Sequence, residues 1–436
     1  MPWISESAPE ILWPRLAELM RQTVAEARRR VCARPKRVLL LPPDITRAHS
    51  GVGRLTEMLY DELSAEADVH VIPTLGQHVA HTPAENRRMF GALPNEGIHA
   101  HDWRDGCVHV GELSGAAVSK ACGGVADWPI PLYLNRMLME EPWDLIINVG
   151  HVVPHEVLGF ANHNKNYWIG LGGKETICAS HMLAATCGIE NNLGTLITPT
   201  RACFNQAEDQ FLGRLPDLYV QVVLARNERD ELVHTGVFVG DDLETYLQAA
   251  RQSREQNITL FEEPVRKIVC VMQADEFVST WVANKAIYRT RMAIADGGEL
   301  LIIAPGLKRF GEQPDVDLFI RKYGYCGTPR VTAGYRTNAD MQDLGHATAH
   351  LIHGSSEGRF KITYAPGFLT RDEVEGVNFG YADLAETLAR YRPDELKQGW
   401  NATDDGERFY FIPTPSAGLW ATRDKLMNRP GGFGGE

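Results

Sequence analysis

Residues 36–47 read KRVLLLPPDITR, and the fold is decided here. Lys36 to Leu41 (KRVLLL) read as a buried strand, apolar without alternation from Val38 onward. Pro42-Pro43 end it, because proline has no N–H to give to a ladder. Leu55, Met58, Leu59 and Leu63 then recur at helical spacing, and Val69–Thr74 (VHVIPT) and Trp143–Val149 (WDLIINV) read as further strands. Strands alternating with helices predict βαβ units and a mostly parallel sheet.

Past Pro199 the pattern changes. Leu218–Ala225 (LYVQVVLA) and Leu232–Val239 (LVHTGVFV) flank Arg226–Glu231 and predict an antiparallel hairpin, followed by a helix over Asp242–Glu255. The alternation restarts with Lys267–Met272, a helix near Val278–Ala293, Glu299–Ala304 and Phe360–Tyr364. The expected fold class is α/β, as two α/β domains with mostly parallel sheets. The expected division is 1–265, 266–410 and a tail 411–436, whose closing RPGGFGGE reads as mobile. No internal repeat or low-complexity segment is apparent.

The chain has 436 residues, with 44 Lys and Arg against 56 Asp and Glu, a net charge of −12. An acidic chain does not attract phosphate at long range, which argues against nucleic-acid or anionic-membrane partners. The eight cysteines form no CxxC pair, so a disulfide framework is not expected and a reducing, cytoplasmic setting is. No signal-peptide pattern opens the chain, and no apolar run reaches the roughly 18 residues of a membrane span.

Polar clusters fall where strands end, the usual place for ligands in open α/β sheets. Asp44-Ile45-Thr46-Arg47 reads equally as a helix N-cap or as a carboxylate or phosphate site using Arg47. His78, in Gly76-Gln77-His78, is a candidate general base or a structural ring. The densest segment carries His151, His155, His163 and Lys165, then Gly170, Gly172-Gly173 and His181. Imidazoles suggest a metal, but the segment has neither HxH nor HExxH spacing. The glycines would let backbone approach a phosphate, yet GxGxxG and Walker A signatures are missing. Lys285, on the predicted helix of the second domain, is a surface lysine or a cation for a bound carboxylate.

Taken in order, these pieces resemble the lactate racemase superfamily, enzymes that use a tethered nickel-pincer nucleotide. The matching motifs are Asp44 to Arg47, Gly76-Gln77-His78 with glutamine for threonine, Pro154-His155, Gly159-Phe160, Lys165, His181, and Lys285 followed by Gly297-Gly298 and a strand. The lysine lies ten residues after His155, and His181 sixteen after the lysine, as in the family pattern.

The resemblance implies a racemase or epimerase that inverts C2 of a 2-hydroxy acid by reversible hydride transfer, working in a cleft between the domains. It implies a covalent nickel-pincer nucleotide on Lys165, with His181 ligating Ni and Asp44 lining the nucleotide site. His78 and His155 resemble the acid/base pair, and Arg47 and Lys285 the substrate carboxylate clamp. It also implies cofactor-maturation enzymes as partners. Ala161-Asn162-His163-Asn164 and Trp281-Val282 depart from the lactate enzymes, as does the Gly345-His346 region, where those carry a late tryptophan. Asn162, His163, Asn164 and His346 could hydrogen-bond extra hydroxyls, which favours a larger substrate, a sugar acid such as gluconate. The alternatives are a non-catalytic binder of the pincer nucleotide or a sugar acid, and an NAD-dependent redox enzyme.

Overall fold

The computed structural model describes residues 1–427 apart from 214 and 230, so the RPGGFGGE tail lies outside the described residues. The chain divides into two compact units. Residues 1–180 and 194–256 form the first; residues 181–193 join the segment from 257 onward in the second. The break therefore falls after Gln256 rather than near 265, and the first unit gives up a segment that the strand–helix pattern had assigned to it. The helix Lys174–Cys187 explains why the pattern is silent there: it runs without a break across the change of unit at Ser180.

In the first unit β1 (Ile4–Ser7), β2 (Arg37–Leu41), β3 (Asp68–Val71), β4 (Leu145–His151), β5 (Asp217–Arg226) and β6 (Leu232–Gly240) make one sheet, ordered β1-β6-β5-β4-β2-β3. The pairings β3/β2, β2/β4 and β4/β5 are parallel; the predicted hairpin β5/β6 and the edge β1/β6 are antiparallel. Val38 to Leu41 are fully buried, as their unbroken apolar run requires. β3 stops at Val71, short of Thr74, because Pro73 cannot donate to the ladder. Helices Trp13–Arg30 and Val52–Ser64 turn apolar stripes onto the sheet, burying Leu16, Leu19, Leu55 and Leu59.

The second unit has its own six-stranded sheet: β7 (Val265–Val271), β8 (Ile294–Ala304), β9 (Lys361–Pro366), β10 (Gly380–Tyr381), β11 (Gly399–Ala402) and β12 (Arg408–Ile412), ordered β10-β9-β8-β7-β12-β11. Only β11/β12 is antiparallel. The helix expected over 278–293 is two short pieces, Thr280–Ala283 and Lys285–Thr290, meeting at Asn284 and unwinding before Ala293. Among the described residues no helix is long and apolar enough to cross a membrane.

Candidate active site

Three loops of the first unit leave the carboxyl ends of β2, β3 and β4, and the residues singled out from sequence sit on them. Asp44 follows Pro42-Pro43 and caps the 3-10 helix Ile45–Ser50, accepting from the Thr46 amide at 3.1 Å and hydroxyl at 2.6 Å. Its other oxygen, Oδ2, meets Nδ1 of His78. Asp44 is thus the N-cap of this helix through one oxygen and the partner of His78 through the other. Burial pushes this carboxyl up, but the His78 imidazole, the Thr46 hydroxyl and the Lys165 charge more than offset it, so it lies well below the usual range.

His78 owes its place to Gly76. That glycine has φ of +58°, and its amide donates to the Gly170 carbonyl at 2.8 Å, tying the β3 loop to the Lys165 segment. Lys165 is partly buried at the start of a π-helical turn, Asn166–Gly170. Burial and then the Arg47 guanidinium pull its ammonium down to about 8, while Asp44 and Glu156 oppose. An amine poised this way is a usable nucleophile near neutral pH. Asp44, Arg47, His78 and Lys165 therefore form one electrostatic group.

His155 lies on a two-residue strand, Pro154–His155, paired antiparallel with Gly159–Phe160. Glycine is required at 159: φ is +76°, and a Cβ would stand 1.8 Å from the Thr195 carbonyl oxygen. The Val157 amide donates to Nδ1 of His155 at 3.2 Å.

Two expectations fail here. Asn162 and Asn164 hold the loop together and have no amide to spare for a ligand. The Asn162 amide donates to the Gly150 carbonyl at 3.0 Å and to Gln221 at 2.8 Å; that of Asn164 donates to Asn205 at 2.7 Å and Glu208 at 2.8 Å. Asn162 and His163 both have positive φ, a conformation costing roughly 1–2 kcal/mol per residue, which these bonds offset. The His163 ring stacks on Tyr219 at 4.1 Å, and burial, with Arg201 behind it, drives its pKa down to about 3. It is a packing residue. The glycines beyond Lys165 cradle no phosphate either. A Cβ on Gly170 would meet Thr74 at 2.5 Å, on Gly172 the Trp168 carbonyl at 2.0 Å, and on Gly173 Tyr133 at 2.6 Å, so protein already fills those spaces.

Sequence reading missed Arg201. Fully buried, it donates to the Asn164 side chain at 2.6 Å and the Phe160 carbonyl at 2.7 Å, and its guanidinium lies 4.3 Å from the Tyr246 ring centroid. It sits on the helix Pro199–Ala207, and nothing in its local sequence marks it.

The remaining predicted residues belong to the second unit. His181 lies on the second-unit half of the helix Lys174–Cys187, partly buried. Lys285 and Trp281, one helical turn apart, are both partly exposed while Val282 to Asn284 are buried, so they share the outward face. The Lys285 ammonium is 6.0 Å from the Phe277 ring centroid. His346 is buried edge-on to Trp281 at 5.7 Å, and His350 stacks on Trp281 at 4.4 Å while bonding the hydroxyls of Tyr288 and Tyr325 at 2.7 and 2.9 Å. Among the described residues no group of three or more His, Cys, Asp or Glu side chains could hold a metal on its own.

In this α/β protein, loops at the ends of parallel strands thus carry a carboxylate–histidine pair and a partly buried amine beside an arginine. The lactate racemase N-terminal domain family matches residues 15–192, and this part of the chain belongs to the lactate racemase superfamily. That relationship suggests a racemase or epimerase. A Thermotoga maritima protein solved by a structural genomics consortium is 23% identical over 96% of this chain and 100% of its own, with a TM-score of 0.80. The lactate racemase apoprotein from Thermoanaerobacterium thermosaccharolyticum is 15% identical over 96% and 94%, with a TM-score of 0.64. At these identities the likeness establishes the fold. No curated protein matches the sequence.

Proposed function

We propose that this protein is a racemase or epimerase that inverts the C2 centre of a 2-hydroxy acid by reversible hydride transfer, with a nickel-pincer nucleotide tethered through Lys165. The observation that carries this reading is the grouping of Asp44, Arg47, His78 and Lys165 at the strand ends of the domain that matches the lactate racemase family. The residues suit the group. Lys165 has the lowered pKa that acylation of an amine needs. His181 is the imidazole we assign as the one that would hold the group's nickel.

When bound, the nucleotide supplies a reversible hydride acceptor, which spares the substrate a carbanion at a very weakly acidic C–H. The chain's own residues do the rest. Arg47 and Lys285 hold the substrate carboxylate, Arg47 by two parallel hydrogen bonds. His78 and His155 handle the hydroxyl proton, a positioned base contributing roughly 10²–10⁴-fold. The substrate is a 2-hydroxy acid larger than lactate, a sugar acid such as gluconate being favoured. With Asn162 and Asn164 committed to their loop, the support for that size lies with Trp281 and His346 in the second unit. Maturation enzymes supply the nucleotide, and eight cysteines outside any disulfide fit a cytoplasmic setting.

The test is a panel of enantiopure 2-hydroxy acids and aldonates incubated with chain produced alongside the maturation enzymes. Loss of optical purity, or epimerisation at C2, is expected for at least one aldonate. Binding without inversion across the whole panel, in chain bearing the adduct, would instead favour a carrier.

A further inference from the structure

The two histidines assigned to the hydroxyl proton, on the reading just given, are held in opposite proton states by their surroundings. An ionised carboxylate can only accept a hydrogen bond, so the Asp44–His78 contact places a proton on Nδ1 of His78. In the neutral ring, Nε2 then keeps its lone pair, with Asp44 behind it to balance an incoming positive charge.

His155 is constrained the other way. The Val157 amide donates to its Nδ1, and an N–H does not point at another N–H, so Nδ1 is bare and the neutral ring carries its proton on Nε2. The tight pairing of His155 with Gly159, and the close approach of Gly159 to the Thr195 carbonyl, fix this turn in place.

We propose that the pair is unequal. His78, oriented by Asp44 as a positioning residue, is the base; His155 enters as a neutral donor that polarises the substrate oxygen. In the step assigned to His78 the substrate O–H bond breaks, its proton bonds to Nε2, and its electron pair stays on the oxygen that His155 hydrogen-bonds. Neutral histidine can serve in this electrophilic role.

Two-bond ¹⁵N–¹H correlation spectra of the full chain, with ¹⁵N-labelled histidine at a pH where the rings are neutral, read each tautomer directly. Spectra of His78→Gln and His155→Gln assign the signals. His78 is expected to be protonated at Nδ1 and His155 at Nε2. Asp44→Asn offers a donor where the carboxylate only accepted, and it should move the His78 proton to Nε2 while leaving His155 unchanged. In cofactor-loaded enzyme, His78→Gln should lose about 10²–10⁴-fold of activity, and His155→Gln should lose less than that, because glutamine still donates. A proton on Nδ1 of His155, or a His78 signal unmoved in Asp44→Asn, overturns the assignment even in a working racemase. Tautomers as assigned in a chain that never inverts a hydroxy acid would support the proton placement and sink the functional reading.

Discussion

The two units share one plan, a six-stranded and mostly parallel sheet, and use it differently. In the first, the carboxyl ends of β2, β3 and β4 lead into Asp44, Arg47, His78, His155 and Lys165. In the second, β8 and β9 end in Pro305-Gly306 and Pro366-Gly367, where glycine is needed for close packing: a Cβ on Gly306 would stand 2.0 Å from Ala274 backbone, and one on Gly367 1.8 Å from the Pro305 carbonyl. The single cation we assign there, Lys285, sits on a helix backed by a buried histidine–tyrosine network. The same architecture thus carries a carboxylate–histidine–lysine group at its strand ends in one unit and close backbone packing beside an aromatic wall in the other. Fold alone does not say which strand ends are armed; the side chains do.

If that contrast is right, substitutions in the first unit should damage chemistry and those in the second should damage binding. Lys165→Ala stands at the extreme: with no amine to tether the nucleotide, turnover should vanish while the circular dichroism spectrum stays native. Asp44→Ala removes the carboxylate behind His78 and should lower kcat by about 10²–10⁴-fold with little change in KM. A rise confined to KM would instead return Asp44 to ligand binding. Arg201→Met leaves the Asn164 side chain and the Phe160 carbonyl without their buried donor and should cost about 3 kcal/mol in urea unfolding.

In the second unit, Lys285→Ala should raise KM by about 10–100-fold and spare kcat, as loss of one charged hydrogen bond predicts. The smallest effect is expected at Asp217, which accepts the Tyr167 hydroxyl at 2.6 Å. Burial, with Glu208 adding to it, lifts this carboxyl to about 7 against the pull of Tyr167. The folded state therefore keeps a proton that the unfolded chain sheds near pH 4, and stability falls as pH rises from about 4 through 7. Asp217→Asn should raise Tm by about 2–4 °C at pH 8 and leave it unchanged at pH 4. A gain of equal size at both pH values would mean that the carboxyl is not the cause.

Much of this was legible in the sequence, for identifiable reasons. Unbroken apolar runs mark strands buried on both faces, so β2, β4 and β7 were within reach, and polar residues just past them mark candidate ligands. Asp44, His78 and Lys165 fall at such places. What was not legible depends on side-chain direction within loops. Asn162, His163 and Asn164 look like donors in a string of letters, but two consecutive residues with positive φ turn them inward, onto Gln221, Tyr219 and Glu208. Arg201, which locks that loop, lies on a helix distant in sequence. The assignment of residues 181–193 to the second unit was hidden too, because an uninterrupted helix shows no seam.

The claim on which the account rests is that Lys165 is the tether. Peptide mapping by mass spectrometry, on chain co-produced with nickel and the maturation enzymes, tests it most directly. A nucleotide adduct is expected on the Lys165 peptide, and it should disappear in Lys165→Ala together with C2 inversion. An unmodified Lys165 in a preparation that fully inverts its substrate would contradict it.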